Sequence, residues 1–419
     1  MALQSTLFGE AGRWTGGDAL DTSVVPLNNV DDALIAEWRD LEARALVPNA
    51  FLSPRFVMPL ARHLPEHANI DLVLSYDRSG GRKRLVGLTP IEQYRMARFS
   101  SEERDRMAKS LFLPHARFLA SKYSFLGSSL LDRGDAAGAA ARLLAGLRRA
   151  VPLSQMAFFV SMPEEEAALW RGAAAGDPRA TFVSQSRPRP TLVPKDCGEE
   201  YLRAGMSKSR YKDLGRVRRR LEDRGKVEWR LIRDRARVPE AAETFLRLEH
   251  MGWKGEERSS LLSLPERADF FRAFIANFAE TGDLFFCELL CGGAVVASTV
   301  NVISGDVGYA FKVSWDPEFA QMSPGMLNEV ETIRAASELL GDLRYIDSCT
   351  GEQCYIDRLW TTRRTLADGV LVLGPLGAGV HAARRGLRLV RDRFREFAAA
   401  RRSRTGDPGD TSTPPDPDT

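Results

Sequence analysis

The chain lacks most of what would mark a secreted or membrane protein. Five cysteines in 419 residues are few and odd in number, which argues against a disulfide framework and for a reducing compartment. No apolar run reaches the ~20 residues that span a bilayer, and an uncharged stretch such as Gly369 to Ala383 is short and glycine-rich. The first residues, MALQSTLFGEAGRW, have no basic segment followed by an apolar core, so no signal peptide is expected. An excess of one charge is missing too: 59 Lys+Arg against 56 Asp+Glu leave +3. No global field therefore draws the chain onto nucleic acid or membrane. Cys287-x3-Cys291 and Cys349-x4-Cys354 lack the tight knuckle spacing of structural zinc, and His63 and His67 are divided by Pro65. A cytoplasmic protein without a metal is expected.

What is present is ordinary globular material, 44% hydrophobic and 27% charged, enough for two or three domains. The expected fold class is α/β (α+β). Thr22–Leu27 reads as a strand, and Leu34, Trp38 and Leu41 recur at helical spacing behind a cap at Asp31 or Asp32. Ile70–Tyr76 and Leu85–Tyr94 form a hairpin about Gly80-Gly81. Arg117–Leu126 and Gln155–Val160 are further strand candidates, and Asp135–Ala150 is an alanine-rich helix. Ser186–Lys195, with three prolines, suits a linker or an edge crossing. The second half then repeats the order of elements. It has helices at Glu199–Arg224, Pro239–Met251 and Pro265–Thr281, a three-stranded meander from Leu284 to Trp315 and a strand Glu228–Ile232 before it. A helix Pro324–Leu340 and a strand Leu343–Asp347 come next. The plan is a loose 1–21, two similar units at 22–190 and 195–375, each a mostly antiparallel sheet flanked by helices, a basic helix within 380–402 and a disordered tail at 403–419.

The segment 307–340 carries the chemistry. Alternation along Val307–Trp315 puts Val307, Tyr309, Phe311, Val313 and Trp315 on one face, and Gly308, Ala310, Lys312 and Ser314 on the other. Ser323 suits an N-cap and Pro324 the first helical position. The amides of Gly325, Met326 and Leu327 would then point outward at the positive end of the helix dipole. Strand, loop and bare helix start describe a pyrophosphate cradle or, equally, an ordinary capped helix.

Trp253-Lys254-Gly255, the strand end Phe311-Lys312-Val313-Ser314-Trp315-Asp316-Pro317, the loop Gln321-Met322-Ser323-Pro324-Gly325 and Ile346-Asp347-Ser348 resemble the CelD-type branch of the GNAT acyltransferase superfamily. The likeness is strong over Lys208–Trp360 and fainter through Asn49–Arg55 (NAFLSPR). It implies cytoplasmic bacterial proteins linked to cellulose and exopolysaccharide biosynthesis, and a tandem architecture like that of the Fem peptidyltransferases. It further implies acetyl-CoA or another acyl-CoA as donor, held by Gln321, Ser323, Gly325, Met326 and Leu327 beside splayed fourth and fifth strands. The loop departs from the superfamily's Gln/Arg-x-x-Gly-x-Gly/Ala signature in spacing and has one glycine.

By the same resemblance Tyr355 is the acid for the leaving thiolate; alternatively it is a packed aromatic. Asp347, at a strand end, is a base, an orienter of the acceptor or a turn cap. Glu249 faces the acceptor or ends a solvated helix. Trp253 and Lys254 shape the acceptor pocket, with core packing the alternative for Trp253, and Lys312 meets a phosphate or acidic acceptor or snorkels to solvent. The expected partner is a small-molecule amine or sugar-linked acceptor. The basic run Ser207–Arg224 is diluted by Asp213, Glu222 and Asp223, so nucleic acid is not expected. The arginines of Gly386–Ala400 suit contact with an anionic membrane surface or docking on the protein itself. A Fem-like aminoacyl-tRNA-dependent ligase and a non-catalytic assembly partner remain as alternatives.

Overall fold

The computed structural model describes residues 22–79, 81, 83–94, 115–152, 155–351 and 354–383. The expected basic helix at Gly386–Ala400, the tail and the first 21 residues lie outside these.

In the first half the strands are β1 (Thr22–Pro26), β2 (Ile70–Asp77), β3 (Arg84–Tyr94), β4 (His115–Phe118), β5 (Leu130–Leu131), β6 (Met156–Pro163) and β7 (Thr181–Leu192). In the second they are β8 (Val227–Ile232), β9 (Leu284–Cys291), β10 (Ala294–Ser304), β11 (Val307–Trp315), β12 (Tyr345–Asp347) and β13 (Thr362–Val372). All join one mixed, mostly antiparallel sheet in the order β1-β2-β3-β4-β6-β13-β7-β12-β11-β10-β9-β8, with β5 beside β3. The α/β class expected from the sequence is the one found.

The order is an internal repeat. β1 to β4 run antiparallel, β4 pairs β6 in parallel, and β6 pairs β13 antiparallel. In the same way β8 to β11 run antiparallel, β11 pairs β12 in parallel, and β12 pairs β7 antiparallel. Each half therefore ends on a strand supplied by the other, and β7 and β13 pair along their whole length. The proline-rich segment, expected as a linker or an edge crossing, begins as the end of β7. Pro188 and Pro190 are tolerated because β7 meets β12 only at Thr191 and Leu192. Their missing N–H groups can face an edge without a ladder.

Helices cover both faces, and their starts arise from local sequence. Asp31 caps Asp32–Ala43 through the amide of Leu34, Ser53 caps Pro54–His63 with proline at its first turn, and Asp135 caps Ala136–Ala150. The largest core cluster lies between the halves. Phe51 meets Tyr309 edge-on at 5.3 Å, Phe56 meets Phe270 at 5.5 Å, and Phe125 meets Phe311 at 5.8 Å. The NAFLSPR segment holds this seam: Arg55 reaches Glu42 on its own side and Thr281 and Asp283 across it. Asn277 donates back to the Arg55 carbonyl at 3.1 Å.

Candidate active site

Two features open a gap at the middle of the second half. β11 and β12 pair only at Val307–Tyr345, Gly308–Ile346 and Tyr309–Asp347. Among the described residues, the β12 side of β11 has no ladder partner beyond Tyr309. On the other side β11 carries a bulge, since Val300 pairs with Lys312 and Asn301 with Ala310. Phe311 is the extra residue, and it reverses the phase of the strand from Lys312 onward. Lys312 and Ser314 therefore turn toward the helix Val238–Met251, with Ser314 Oγ donating to the Phe245 carbonyl at 3.4 Å. Val313 and Trp315 turn toward the start of Pro324–Leu339. This corrects the simple alternation expected from the sequence, which put Lys312 and Ser314 with Gly308 and Ala310.

The helix Pro324–Leu339 starts without a side-chain cap. Ser323, expected to cap it, sits in the left-handed region at φ 44° and makes no capping bond. Leu327, expected to offer a free amide, donates to the Ser323 carbonyl at 3.0 Å. Among the described residues the amides of Gly325 and Met326 have no acceptor. Gln321 is exposed in the preceding turn Pro317–Met322. Gly325 is buried, and a Cβ there would meet the Trp315 ring at 3.4 Å, an ordinary packing contact, so Trp315 does not by itself require the glycine. The matching helix of the first half, Ala136–Ala150, is closed by the Asp135 carboxylate on the Gly138 amide at 3.2 Å.

On the other face three residues from separate segments converge. Glu249, at the end of Val238–Met251, is buried. Its Oε1 accepts from Lys312 Nζ at 2.8 Å and Lys254 Nζ at 3.4 Å, and its Oε2 accepts from the Leu261 amide at 2.8 Å. Burial alone would raise the Glu249 pKa, but Lys312 and Lys254 outweigh it and hold the carboxyl below its ordinary value. Lys254 is shifted down by burial and by Lys312, against the pull of Glu249. Gly255 makes the turn that returns Lys254 to the carboxylate: a Cβ there would lie 1.9 Å from the His250 carbonyl oxygen. Trp253 is 54% exposed, so it is no core residue. Tyr123 of the first half lies beneath Lys312, its ring 5.7 Å from Nζ.

The remaining sequence candidates are placed differently. Asp347 is fully buried, with Oδ1 taking the Cys349 amide at 2.8 Å and Arg189 at 3.5 Å, and Oδ2 taking Arg364 at 3.2 Å. A carboxylate so occupied is a clasp between β12, β7 and β13 rather than a base open to an acceptor. Tyr355 sits in the turn Tyr355–Arg358 against the core of Pro324–Leu339. Burial and then Glu329 push its phenol well above the usual range, so it stays protonated.

Sequence reasoning missed Glu329, Tyr123, Arg189 and Arg364. Glu329 is buried, accepts from Trp360 Nε1 at 2.8 Å and is pushed by burial up to about 7. An acid inside the apolar stripe Met326, Val330, Ile333 was the available signal for it. The two arginines had none, because the strand exchange alone brings them to Asp347. No group of residues able to hold a metal, and no helix long and apolar enough to cross a membrane, occurs among the described residues.

Among solved structures the chain is similar to FemX, with TM-score 0.52 and 8% identity over 83% of this chain and 98% of that one. It is also similar to a conserved protein of unknown function from Bacteroides thetaiotaomicron, with TM-score 0.48 and 12% identity over 81% and 98%. A tandem GNAT protein from the clavulanic acid biosynthesis pathway gives TM-score 0.41 and 15% identity over 85% and 99%. The FemX likeness speaks to the fold alone. No curated protein matches the sequence. Residues 208–355 match the acetyltransferase (GNAT) domain family, and the uncapped helix, the parted strands and the lysine pair all lie within that stretch.

Proposed function

We propose that the chain is an acyltransferase that moves an acetyl or other acyl group from CoA to an amine or hydroxyl of a small or sugar-linked acceptor. The observation that carries this is the pairing of an uncapped helix start at Ser323–Met326 with the gap between β11 and β12. The free amides of Gly325 and Met326 and the helix dipole suit a diphosphate. The open edge of β11 suits the amides and thioester oxygen of the pantetheine arm. By the family resemblance Tyr355 is the proton donor for the departing thiolate, although burial makes its phenol a weak acid. Glu249, with both oxygens engaged and its pKa depressed, positions the lysines rather than taking a proton. The first half offers no second donor seat, because Asp135 closes its helix. A role in cellulose or exopolysaccharide assembly, in the cytoplasm, belongs to the same proposal and rests on the CelD-type motifs.

Thermal melting with acetyl-CoA tests the donor. Saturating acetyl-CoA raises Tm in the wild type. Ser323→Asp, which sets a carboxylate beside the same amides, keeps its own Tm and loses the shift. A wild type indifferent to millimolar acetyl-CoA would refute the reading. One observation favours a different donor: Lys208–Glu222 shows a basic face and packs through Leu221 against Met322 and Leu327, next to the helix start. If aminoacyl-tRNA is the donor, activity is sensitive to ribonuclease and indifferent to acyl-CoA.

A further inference from the structure

Resting on that acyltransferase reading, we infer that the acceptor is an anion, its carboxylate or phosphate seated between Lys254 and Lys312. Two ammonium groups share one Glu249 oxygen, which leaves the cluster with one positive charge in excess. The carboxylate does not need both: one lysine and the Leu261 amide already occupy its two oxygens. A second buried cation adds desolvation and repulsion, consistent with the downward shift of Lys254. Each ammonium has three donors and gives one to Glu249. The lysine side chains are part-exposed, 26% for Lys254 and 17% for Lys312, while that of Glu249 is 1% exposed. The carboxylate is thus the floor of the site, and the unspent N–H groups are its open surface.

Trp253 stands exposed beside Lys254, whose Nζ is 5.8 Å from its ring, while Tyr123 is buried beneath Lys312 and backs the site without lining it. The exposed indole suits a sugar ring or short carbon chain behind the anionic group. Lys312 also belongs to the bulged strand whose opposite edge is the open one. An anion held by Lys312 therefore keeps the rest of the acceptor close to the parted strands.

Matched acceptors that differ only in the anion test this. Glucosamine 6-phosphate and glucosamine form one pair, 4-aminobutyrate and n-butylamine another. They are titrated calorimetrically into the wild type, Lys312→Met, Lys312→Arg and Ser323→Asp without donor, then assayed for CoA release with acetyl-CoA. The expected result is that the member carrying the phosphate or carboxylate binds at least about tenfold more tightly than its twin without it. That preference is lost in Lys312→Met and kept in Lys312→Arg and in Ser323→Asp; kcat/KM follows the same order in the wild type and the two Lys312 variants, while Ser323→Asp, which has lost the donor, is read by binding alone. The pair that responds distinguishes phosphate from carboxylate. Equal affinity for the twins, no binding by any anionic member, or loss in Ser323→Asp instead of Lys312→Met overturns the inference. Because the titration needs no donor, a protein that binds acetyl-CoA but ignores the anions refutes only this inference.

Discussion

At the scale of single residues, the buried acids set the pH response. Glu329 and Glu166 are both fully enclosed, and burial pushes each up to about 7 from an ordinary 4.5. The folded state therefore prefers the protonated acid. This favours folding fully below the unfolded value, and the benefit is lost as pH rises through about 7. The loss is on the order of 3 kcal/mol per group. Glu329→Gln imitates the protonated form and keeps an acceptor for Trp360. Urea unfolding at pH 5 and pH 8 should show the variant close to the wild type at the lower pH and more stable at the higher. A variant less stable at pH 8 contradicts the assignment. Residues of this kind explain the unevenness of what the sequence disclosed. Glu249, Lys254 and Lys312 stood in recognisable local motifs and do meet. Asp347 stood in one as well, but its partners Arg189 and Arg364 lie in β7 and β13, and no local pattern announces a pairing across that distance.

At the scale of elements, small departures from regular geometry aim the side chains. The bulge at Phe311 reverses the faces of β11, and Ser323 in the left-handed region leaves the following helix uncapped. Both escaped the sequence reading for a physical reason. A bulge is fixed by how two strands align, and the conformation of Ser323 by the turn that delivers it. The helices at Asp31 and Asp135 were easier, because capping chemistry lies within three residues of what it caps. The one-turn helix Trp253–Glu256 is the element to perturb. Gly255→Ala would force Cβ into the His250 carbonyl, so the turn must open and carry Lys254 from Glu249. The variant is expected to lower Tm by several degrees and to raise the KM for the acceptor more than that for the donor, read from initial rates. A variant with unchanged Tm and KM would show that the turn does not depend on the glycine.

At the scale of the whole molecule, the exchange of β7 and β13 makes two similar halves into one body. The repeat was legible as a repeated order of elements, but the boundary drawn at the prolines was not a hinge, since a strand runs through it into the centre of the sheet. Neither half is complete alone: residues 195–383 lack β7, and 22–190 lack β13. Unfolding by urea should be a single transition by fluorescence and circular dichroism. Each fragment should lack cooperative unfolding when expressed separately. A fragment 195–383 that unfolds cooperatively on its own would contradict the exchange. The same asymmetry, one helix closed by Asp135 and the other open at Ser323, is what the proposed donor site rests on. Hydrogen exchange read with and without acetyl-CoA tests that claim most directly. The account predicts protection of the Gly325 and Met326 amides and of β11 beyond Tyr309, with no change at Ala136–Ala150. Protection absent from the start of Pro324–Leu339, or confined to the first half, would contradict it.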